Sequence, residues 1–438
     1  MTRFPLQAAA HREAVLKHLG PDEAVFLWAS PHPLRNGDTE YRYRPDSDLY
    51  WLTGWVQPEA AIFLRPGDEP FTLFCQPRDR QREVWTGRRP GPEGARKHFG
   101  ADAAFPIGSI EAELPRLLAG VSTLHCVLGK DPDHDQILRA AIATAERAAR
   151  QTGLEVPETF IAPSKLLHEL RLVKSEGEIA IMRRAAEVTA HAHIAAMAAA
   201  APGVHEFEIE ALIEGTFRRC GGTGPGYPSI VAGGDNANIL HYIDNDAPLA
   251  AGQLLLVDAG CEVDWYTADV TRTYPVDGRF TEPQRRVYQA VLDAQLAAID
   301  EARAGRPFTA MHQTATRHLT QAMIDLGLLE GDIDVLIANE DHKRYYMHGT
   351  GHWLGLDVHD AGRYIRGGGS RPLEPGMVVT VEPGLYIPAD DTDAPEDLRG
   401  IGVRIEDDVL VTDGDPVVLT ASIPKTVDEV EEACGGQA

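Results

Sequence analysis

Three histidines lie close together in HGTGHWLGLDVHD, residues 348–360 of a chain that has 17 histidines. His348 and His352 are four residues apart, but the Gly-Thr-Gly between them disfavours the helix that would align two metal ligands, and no HExxH motif occurs in the chain. We predict a loop that enters a strand at 353–358, with His352 as a metal ligand and His348 and His359 as supporting or substrate-facing groups. Taken singly, each could also be an ordinary surface or core histidine.

Four acidic residues occupy strand-like, apolar contexts: Asp258 ends LLLVD, Asp269 lies in YTADVTRT, Glu382 follows VVTV and Glu406 follows GVRI. Aspartate and glutamate are seldom fully buried, so four of them in such contexts need a shared reason. If they converged uncompensated, each pair at ~4 Å would repel by about 4 kcal/mol at an effective dielectric constant of about 20. Protonation or bound cations must relieve that repulsion.

One imidazole added to four carboxylates gives a ligand set that suits a transition metal such as manganese or cobalt. Two divalent ions would balance the four negative charges and could share a hydroxide. Paired ions about 3.5 to 4 Å apart generate a nucleophile at neutral pH and polarise the carbonyl that it attacks. The residues therefore favour hydrolysis of an amide or an ester.

The elements that must position these residues follow a repeated pattern along the sequence, two helices and then two strand-like segments. The segments are 176–200, 206–219, 254–260 and 263–276, and then 282–304, 309–326, 376–387 and 402–412. A capping-box spacing, Ser175 with Glu178 and Thr281 with Gln284, begins each set. We predict a duplicated α+β unit whose halves pack into one sheet with helices on its outer face. Chance recurrence of common motifs is the alternative.

The first part of the chain indicates a separate α/β domain. It has short apolar runs at 61–64 and 71–75 and a helical pattern at 136–151 that is closed by Gly153. A chain of 438 residues also exceeds the length at which a single core usually stops growing. We therefore predict two domains, residues 1–170 and 171–438.

Composition limits the partners and the compartment. A formal net charge of −25 repels phosphate backbones, which argues against nucleic acid as a partner. No apolar stretch reaches the ~18 residues of a membrane span, and no secretory apolar region precedes residue 11. Five scattered cysteines without CxxC spacing are typical of reduced thiols, so we expect a cytoplasmic protein.

The ordered set VDAG, ADVTRT, HGTGHWLGLDVHD, VEPGLY and VRIEDD resembles the pita-bread metallopeptidases, and among them the aminopeptidase P (Xaa-Pro aminopeptidase) group. The stretches 46-DSDLYWLTGWVQPEA-60 and 83-EVWTGRR-89 resemble the leading domain of that group, so the likeness covers nearly the whole chain. It implies an α/β amino-terminal domain of the creatinase and aminopeptidase P type, then an α+β pita-bread catalytic domain with pseudo-twofold duplication.

The resemblance implies a dinuclear metal site, usually manganese, with cobalt or zinc as alternatives. Asp258 and Asp269 would bind one ion and His352 and Glu382 the other, with Asp269 and Glu406 bridging. A hydroxide shared by the ions would attack the bond before proline in a peptide with proline second, and release the amino-terminal residue. All five ligand positions hold the expected residue type, which disfavours the creatinase-like and chromatin-factor relatives.

Further roles follow from the same resemblance. Glu382 would also shuttle a proton, His359 would steady the carbonyl oxygen, and His241 and His348 would face the substrate. Arg404 matches an arginine beside the bridging glutamate. In tetrameric members, neighbouring subunits contribute residues that Asp38 and Trp85 resemble, so we expect a homo-oligomer, either a dimer or a tetramer.

Three alternatives stay open at this point. A prolidase would be restricted to Xaa-Pro dipeptides and would need a cation that closes off the carboxylate end of the substrate. A peptide-binding module of the same fold would have lost catalysis. A methionine aminopeptidase would share the ligands, but the long leading domain and the WLTG and VWTGRR stretches argue against it.

Overall fold

The protein is described by a computed structural model that covers residues 7–435. The ends of the two predicted domains, residues 1–6 and 436–438, lie outside the described residues. The chain forms two compact units, one ending at Arg171 and the other beginning at Leu172. All five cysteines are free thiols. Within 7–435, every helix is too short or too polar to cross a lipid bilayer.

The amino-terminal unit is a mixed six-stranded sheet with helices, in the strand order β6-β5-β4-β1-β7-β8. Its strands are β1 (Glu23–Trp28), β2 (Leu34–Asn36), β3 (Thr39–Glu40), β4 (Ala61–Leu64), β5 (Phe71–Cys75), β6 (Ala103–Pro106), β7 (Thr123–Cys126) and β8 (Thr159–Ile161). Its helices are α1 (Ala8–Leu16), α2 (Ser47–Thr53), α3 (Arg80–Thr86), α4 (Gly91–Phe99), α5 (Ile110–Leu118), α6 (Pro132–Thr152) and α7 (Ser164–Leu172). The two predicted apolar runs are β4 and β5, and the helix predicted at 136–151 lies within α6.

Local sequence accounts for the ends of α6. The Asp131 side chain accepts hydrogen bonds from the backbone N–H groups of Asp133 and His134, which caps the first turn. Gly153 ends the helix with a left-handed backbone, φ +69°. Buried Leu138 and Ala141 on one face pack into the core between the helices and the sheet, so burial of that face stabilises the helix on the sheet.

The carboxyl-terminal unit contains two successive sets of helices and strands. Its helices are α8 (Glu176–Ala199), α9 (Glu206–Arg219), α10 (Glu282–Ile299), α11 (Thr309–Asp325), α12 (Ile333–Ala338) and α13 (Val427–Gly435). Strands of the first set are β9 (Gly224–Pro225), β10 (Ile230–Gly233), β11 (Leu254–Asp258), β12 (Cys261–Val263), β13 (Tyr266–Thr267) and β14 (Thr271–Pro275). Strands of the second set are β15 (Ile365–Arg366), β16 (Gly369–Ser370), β17 (Val378–Val381), β18 (Gly384–Ile387), β19 (Ile401–Arg404), β20 (Asp407–Leu410) and β21 (Val417–Val418).

Both predicted capping boxes are present, at the starts of α8 and α10. Ser175 accepts from the N–H of Glu178, and the Glu178 side chain accepts from the N–H of Ser175. Thr281 and Gln284 make the same reciprocal pair. Each box satisfies two backbone donors at the first turn, so the two helix pairs begin where the sequence predicts.

The strands correspond in the two sets. β11 pairs antiparallel with β14, and β17 pairs antiparallel with β20. The strands form several short ladders rather than one continuous ladder. The sets join where the N–H of Glu406 donates to the carbonyl of Thr271 at 3.0 Å, which brings the acid-bearing ends of both ribbons together.

Candidate active site

The four acids predicted to bind metal occupy matching positions in the two ribbons. Asp258 is the last residue of β11, and Glu382 directly follows β17. Asp269 lies two residues before β14, and Glu406 directly precedes β20. All four line one cavity of about 550 Å³, together with His352. The structure therefore brings the five predicted ligands together.

A short glycine-containing loop holds His352 at this cavity. The His352 N–H donates to the Thr380 hydroxyl at 3.0 Å, and its carbonyl accepts from the Thr380 N–H at 3.0 Å. A Cβ atom on Gly351 would lie 1.9 Å from the Thr380 carbonyl oxygen, so glycine is required for this close approach. The predicted loop placement of His348 and His352 is thus confirmed.

The ring of His352 is oriented by the backbone of the next residue. Its Nδ1 lies 3.0 Å from the carbonyl oxygen of Trp353, which leaves Nε2 facing the acids. Nε2 is 3.3 Å from Asp269 Oδ2 and 3.6 Å from Glu382 Oε1. One ligand atom each from Asp269, His352 and Glu406 lie within 4.8 Å of one another, a spacing that a shared cation can bridge.

Burial opposes ionisation of three of the acids, Asp269, Glu382 and Glu406, when no cation is bound. Burial raises the pKa of Asp269 and Glu406, and neighbouring carboxylates raise it further. Burial likewise raises the pKa of Glu382 to about 7. Burial lowers the pKa of His352, but its hydrogen bond to Asp269 and the charge of Glu382 outweigh that and raise it to about 9. Four carboxylates with this deficit of positive charge fit two divalent cations.

The predicted substrate-side residues line the same cavity: His241, His348, His359 and Arg404. His348 Nε2 lies 2.8 Å from the Tyr386 hydroxyl, and burial lowers the pKa of His348 to about 4, so its ring is neutral at pH 7. The His359 ring packs edge-on against His352 with centroids 4.4 Å apart. Both rings therefore lie beside the acids.

Arg404 is buried and already paired. Its Nη2 donates to Asp258 Oδ2 at 2.7 Å, its Nη1 to the Tyr386 hydroxyl at 3.1 Å, and its Nε to the Thr271 hydroxyl at 3.0 Å. These bonds fix the carboxylate of Asp258 at the end of β11. The resemblance implies an arginine beside Glu406; in the structure Arg404 lies within electrostatic reach of Glu406 and pairs directly with Asp258.

Three residues at the site were not predicted. The Tyr227 hydroxyl donates to Asp258 Oδ1 at 2.7 Å, Tyr386 connects His348 to Arg404, and the buried Asp408 carboxylate accepts from the N–H of Asp269 at 3.2 Å. Lone tyrosines carry no spacing signal. The two acids after Glu406 in IEDD were the available sign that another carboxylate lies next to the site.

The prediction of a strand at 353–358 is wrong. Only Trp353 makes an isolated bridge, to Val379, and the residues after it form a bent loop. The N–H of Gly355 donates to the carbonyl of Asp357, and the N–H of Asp360 donates to the carbonyl of Trp353. These local bonds close the segment on itself, so its alternating apolar residues cannot form a ladder.

A buried carboxylate supports the segment that carries His241. Glu206, the first residue of α9, is fully buried and accepts four hydrogen bonds. The donors are the N–H groups of Gly233 and Ala247, at 2.7 and 2.9 Å, the Asn236 amide at 3.0 Å and the Tyr242 hydroxyl at 2.8 Å. Segment 233–247 is therefore held at both ends, and it presents His241 to the cavity.

Asp38 and Trp85 lie in the amino-terminal unit. Asp38 lies in the turn between β2 and β3, and the Trp85 side chain on α3 is 87% exposed. Neither lines the cavity of the acids. Their contribution from a neighbouring subunit stays a prediction.

Family models match both parts of the chain. Residues 180–413 match metallopeptidase family M24, and residues 8–125 match the aminopeptidase P amino-terminal domain. The Xaa-Pro aminopeptidase of Escherichia coli is 41% identical over 423 residues, 96% of this chain and 95% of that protein. The Xaa-Pro aminopeptidase of Haemophilus influenzae is 40% identical and is covered to 98%, as is this chain.

Solved structures agree with these relatives. Aminopeptidase PepP of Pseudomonas aeruginosa is 47% identical with a TM-score of 0.97, covering 100% of this chain and 99% of that one. A zinc-substituted E. coli aminopeptidase P in complex with product is 40% identical with a TM-score of 0.94, covering 98% of each chain. The predicted fold class, an α/β leading domain and a pita-bread domain, is confirmed. The chain belongs to metallopeptidase family M24 and, within it, to the Xaa-Pro aminopeptidases.

Proposed function

We propose that this chain uses bound metal to release the amino-terminal residue from peptides whose second residue is proline. The observation that carries the proposal is the convergence of three buried acids, the half-buried Glu382, His352 and three further histidines on one cavity. Its relatives named Xaa-Pro aminopeptidase span nearly the full chain. Retention of every ligand argues against the alternative of a catalytically inactive binding module.

We assign the metal ligands from this geometry and from the family. Asp258 and Asp269 would hold one divalent ion, His352 and Glu382 a second, and Asp269 and Glu406 would be shared. When bound, such ions supply a nucleophile at neutral pH and polarise the carbonyl of the scissile bond. The mixed carboxylate and imidazole set favours manganese, with cobalt or zinc as alternatives.

Proton transfer is the task that we assign to Glu382. The nitrogen of an Xaa-Pro bond carries no hydrogen and must gain a proton as the C–N bond breaks. Glu382 faces the cavity and is half-buried, so its carboxyl group is placed to take a proton and to pass it to that nitrogen. His359 and His241 are the groups that we place against the carbonyl oxygen and the substrate backbone.

The cavity favours an aminopeptidase over a prolidase. A site restricted to dipeptides needs a cation for the free carboxylate that follows proline. Among the residues that line the cavity in the described chain, Arg404 is the one lysine or arginine, and it is bound to Asp258 and Tyr386. A peptide that continues beyond proline therefore fits this charge pattern better.

A comparison of three peptides tests the proposal. Gly-Pro, an Xaa-Pro-Xaa tripeptide and a Met-Ala-Xaa tripeptide are incubated with the protein and manganese, with and without chelator. We expect cleavage of the Xaa-Pro bond in the tripeptide that is lost with chelator. Exclusive cleavage of Gly-Pro would indicate prolidase, cleavage of Met-Ala-Xaa would indicate a methionine aminopeptidase, and no cleavage would favour the binding module.

Assembly and compartment are extensions of the same proposal. We propose a homo-oligomer, a dimer or a tetramer, in which Asp38 and Trp85 approach the site of a neighbouring subunit, and a cytoplasmic location. The exposed Trp85 ring supports the first point because an exposed indole is an unusual surface feature without a partner. Light scattering gives the mass in solution and tests the oligomer.

A further inference from the structure

A buried ion pair lies directly behind the loop that carries His359. Lys174 Nζ is 2.9 Å from Asp360 Oδ2, and both side chains are only 1% exposed. Lys174 also donates to the carbonyl of Leu172 at 3.3 Å. Burying two charges costs free energy, which is recovered only when the charged groups are well placed for a hydrogen-bonded contact. The pair therefore favours a single arrangement of the backbone segments that carry Lys174 and Asp360.

The pair is connected to His359 through the backbone. His359 and Asp360 are consecutive, yet His359 is exposed to the cavity whereas Asp360 is buried. Asp360 closes the loop, because its N–H donates to the carbonyl of Trp353 at 2.8 Å and its Oδ1 accepts from the N–H of Asp357 at 3.3 Å. Fixing Asp360 on the interior side therefore fixes the backbone from which His359 projects.

The loop is shaped to admit this carboxylate. A Cβ atom on Gly355 would lie 2.2 Å from Asp360 Oδ2 and 3.0 Å from Lys174 Cε. The carbonyl of Gly355 also accepts from the N–H of Thr267 at 3.0 Å, which ties the loop to β13. Glycine at 355 thus lets the Asp360 carboxylate lie against the backbone within reach of Lys174.

His352 is held by different contacts. The neighbouring Trp353 is fully buried, bridges to Val379 and stacks on Tyr364 with ring centroids 5.3 Å apart. Thr380 bonds both backbone groups of His352. The backbone of the ligand is therefore fixed on β17, and it meets the loop of the Lys174–Asp360 pair at the Trp353 carbonyl oxygen, which accepts from the Asp360 N–H.

We propose that Lys174 and Asp360 are positioning residues that set His359 against the substrate, without a part in metal binding. The inference rests on the proposed function, since His359 acts in it as a substrate-facing group. Loss of the pair lets the backbone at 359 shift, and small displacements of a positioned group can lower rates by about 100-fold. Metal content should not change.

The test is a cycle of variants. Lys174→Met, Asp360→Asn and the double variant are made in the wild-type chain and again with His359→Ala. We expect each to lower kcat on an Xaa-Pro-Xaa peptide by about 10- to 100-fold in the wild-type chain, and by less than about 3-fold when His359 is already alanine. Metal measured by atomic emission should equal that of the wild type.

Stability is controlled separately. A single variant leaves one buried charge unpaired, so the double variant, in which neither charge remains, keeps the test usable if the singles fail to fold. Gly355→Ala perturbs the pair without changing charge and should show the same loss of kcat. Val430→Ala truncates a fully buried side chain in α13. This control should be less stable than the wild type but should keep its kcat.

The outcomes separate the two proposals. Equal losses of kcat in both backgrounds, loss of metal, or wild-type kcat in the double variant would each overturn the positioning role. Absence of Xaa-Pro cleavage by the wild type would overturn the proposed function instead. If His359→Ala alone keeps full turnover, imidazole NMR decides: the His359 signal should shift in Asp360→Asn while that of His241 does not, and an unmoved His359 signal refutes the pair.

Discussion

Two pockets of this chain lie at strand ends and contain acids, but the acids of the two pockets have different charged neighbours. In the amino-terminal unit, a cavity of about 620 Å³ lies at the carboxyl ends of β1, β7 and β8 and includes Asp48 and Asp131. Asp48 is 2.7 Å from the buried Arg171 and 3.3 Å from His168, and Asp131 caps α6. In the catalytic unit, Asp269 and Glu406 lie among other acids.

The pKa values of the acids shift in opposite directions in the two pockets. Burial would raise the pKa of Asp48, but hydrogen bonding and charge from His168 and Arg171 outweigh it and lower the pKa. Burial raises the pKa of Asp269 and Glu406, and here the neighbouring acids add to the effect. Acids that line a pocket therefore indicate a cation site when the protein supplies too few positive charges and hydrogen-bond donors to stabilise them. Acids that are already paired with such groups do not indicate one.

The largest effect should come from breaking the catalytic side of this comparison. Glu406→Ala removes a carboxylate that we place between both ions. Metal affinity and turnover should both fall by more than about 100-fold, which is the loss typical when a residue that only supports a metal ligand is changed. Metal analysis and peptide hydrolysis measure this, with Asp48→Asn as the matched acid control. Normal turnover in Glu406→Ala would remove this residue from the bridge.

Metal addition should sharpen the contrast. Manganese at about 100 times its Kd should stabilise the metal-free protein by about 2.7 kcal/mol, because it binds only the folded acids. Thermal unfolding with and without manganese measures the shift. Asp48→Asn should respond as the wild type does, and an equal response in Glu406→Ala would contradict the assignment.

The amino-terminal pocket should show a purely structural effect. Asp48→Asn removes the carboxylate charge that faces Arg171 and His168 and should cost about 1–3 kcal/mol of folding free energy at pH 7, with metal content unchanged. The pKa of Asp48 is lowered in the folded state, so its stabilisation is present above its unfolded pKa and is lost as pH falls through the folded value. Denaturant unfolding at pH 7 and pH 3 should show the variant's deficit shrink in acid; a constant deficit would speak against the ion pair.

The smallest effect on stability is expected at a residue that neither pocket uses. Trp85→Ala removes a ring that is 87% exposed, so the free energy of unfolding should change by less than about 0.5 kcal/mol. Turnover should fall if a neighbouring subunit presents Trp85 to the site, as we propose. Unchanged turnover in an oligomer of unchanged mass would dismiss that contribution.

The sequence predicted the helix starts and the strand-end positions of the acids because those signals are local and repeated. The capping boxes at Ser175 and Thr281 define helix starts through contacts over three residues, and both formed. Asp258 and Glu382 each follow an apolar run, so placing them at strand ends needed no knowledge of the tertiary fold. Their meeting in one cavity depends on how the two ribbons join, which the family resemblance supplied.

Long-range contacts account for what the sequence did not show. The apolar alternation at 353–358 suggested a strand, but the buried Asp360 and the small Gly355 bend it into a loop whose partner, Lys174, lies 186 residues away. Tyr227 and Tyr386 reach the site from separate strands and loops, and a single tyrosine has no periodicity. Pairing over such distances cannot be read from spacing.

The clamp formed by Glu206 bears on how a peptide reaches the acids. An outward movement of segment 233–247 would break the four hydrogen bonds that the buried Glu206 carboxylate accepts. The free energy needed to leave that carboxylate unpaired makes such a movement rare. A peptide would then enter through an opening of fixed width with His241 at its edge. That width, rather than a movement of segment 233–247, would decide which peptides reach the acids.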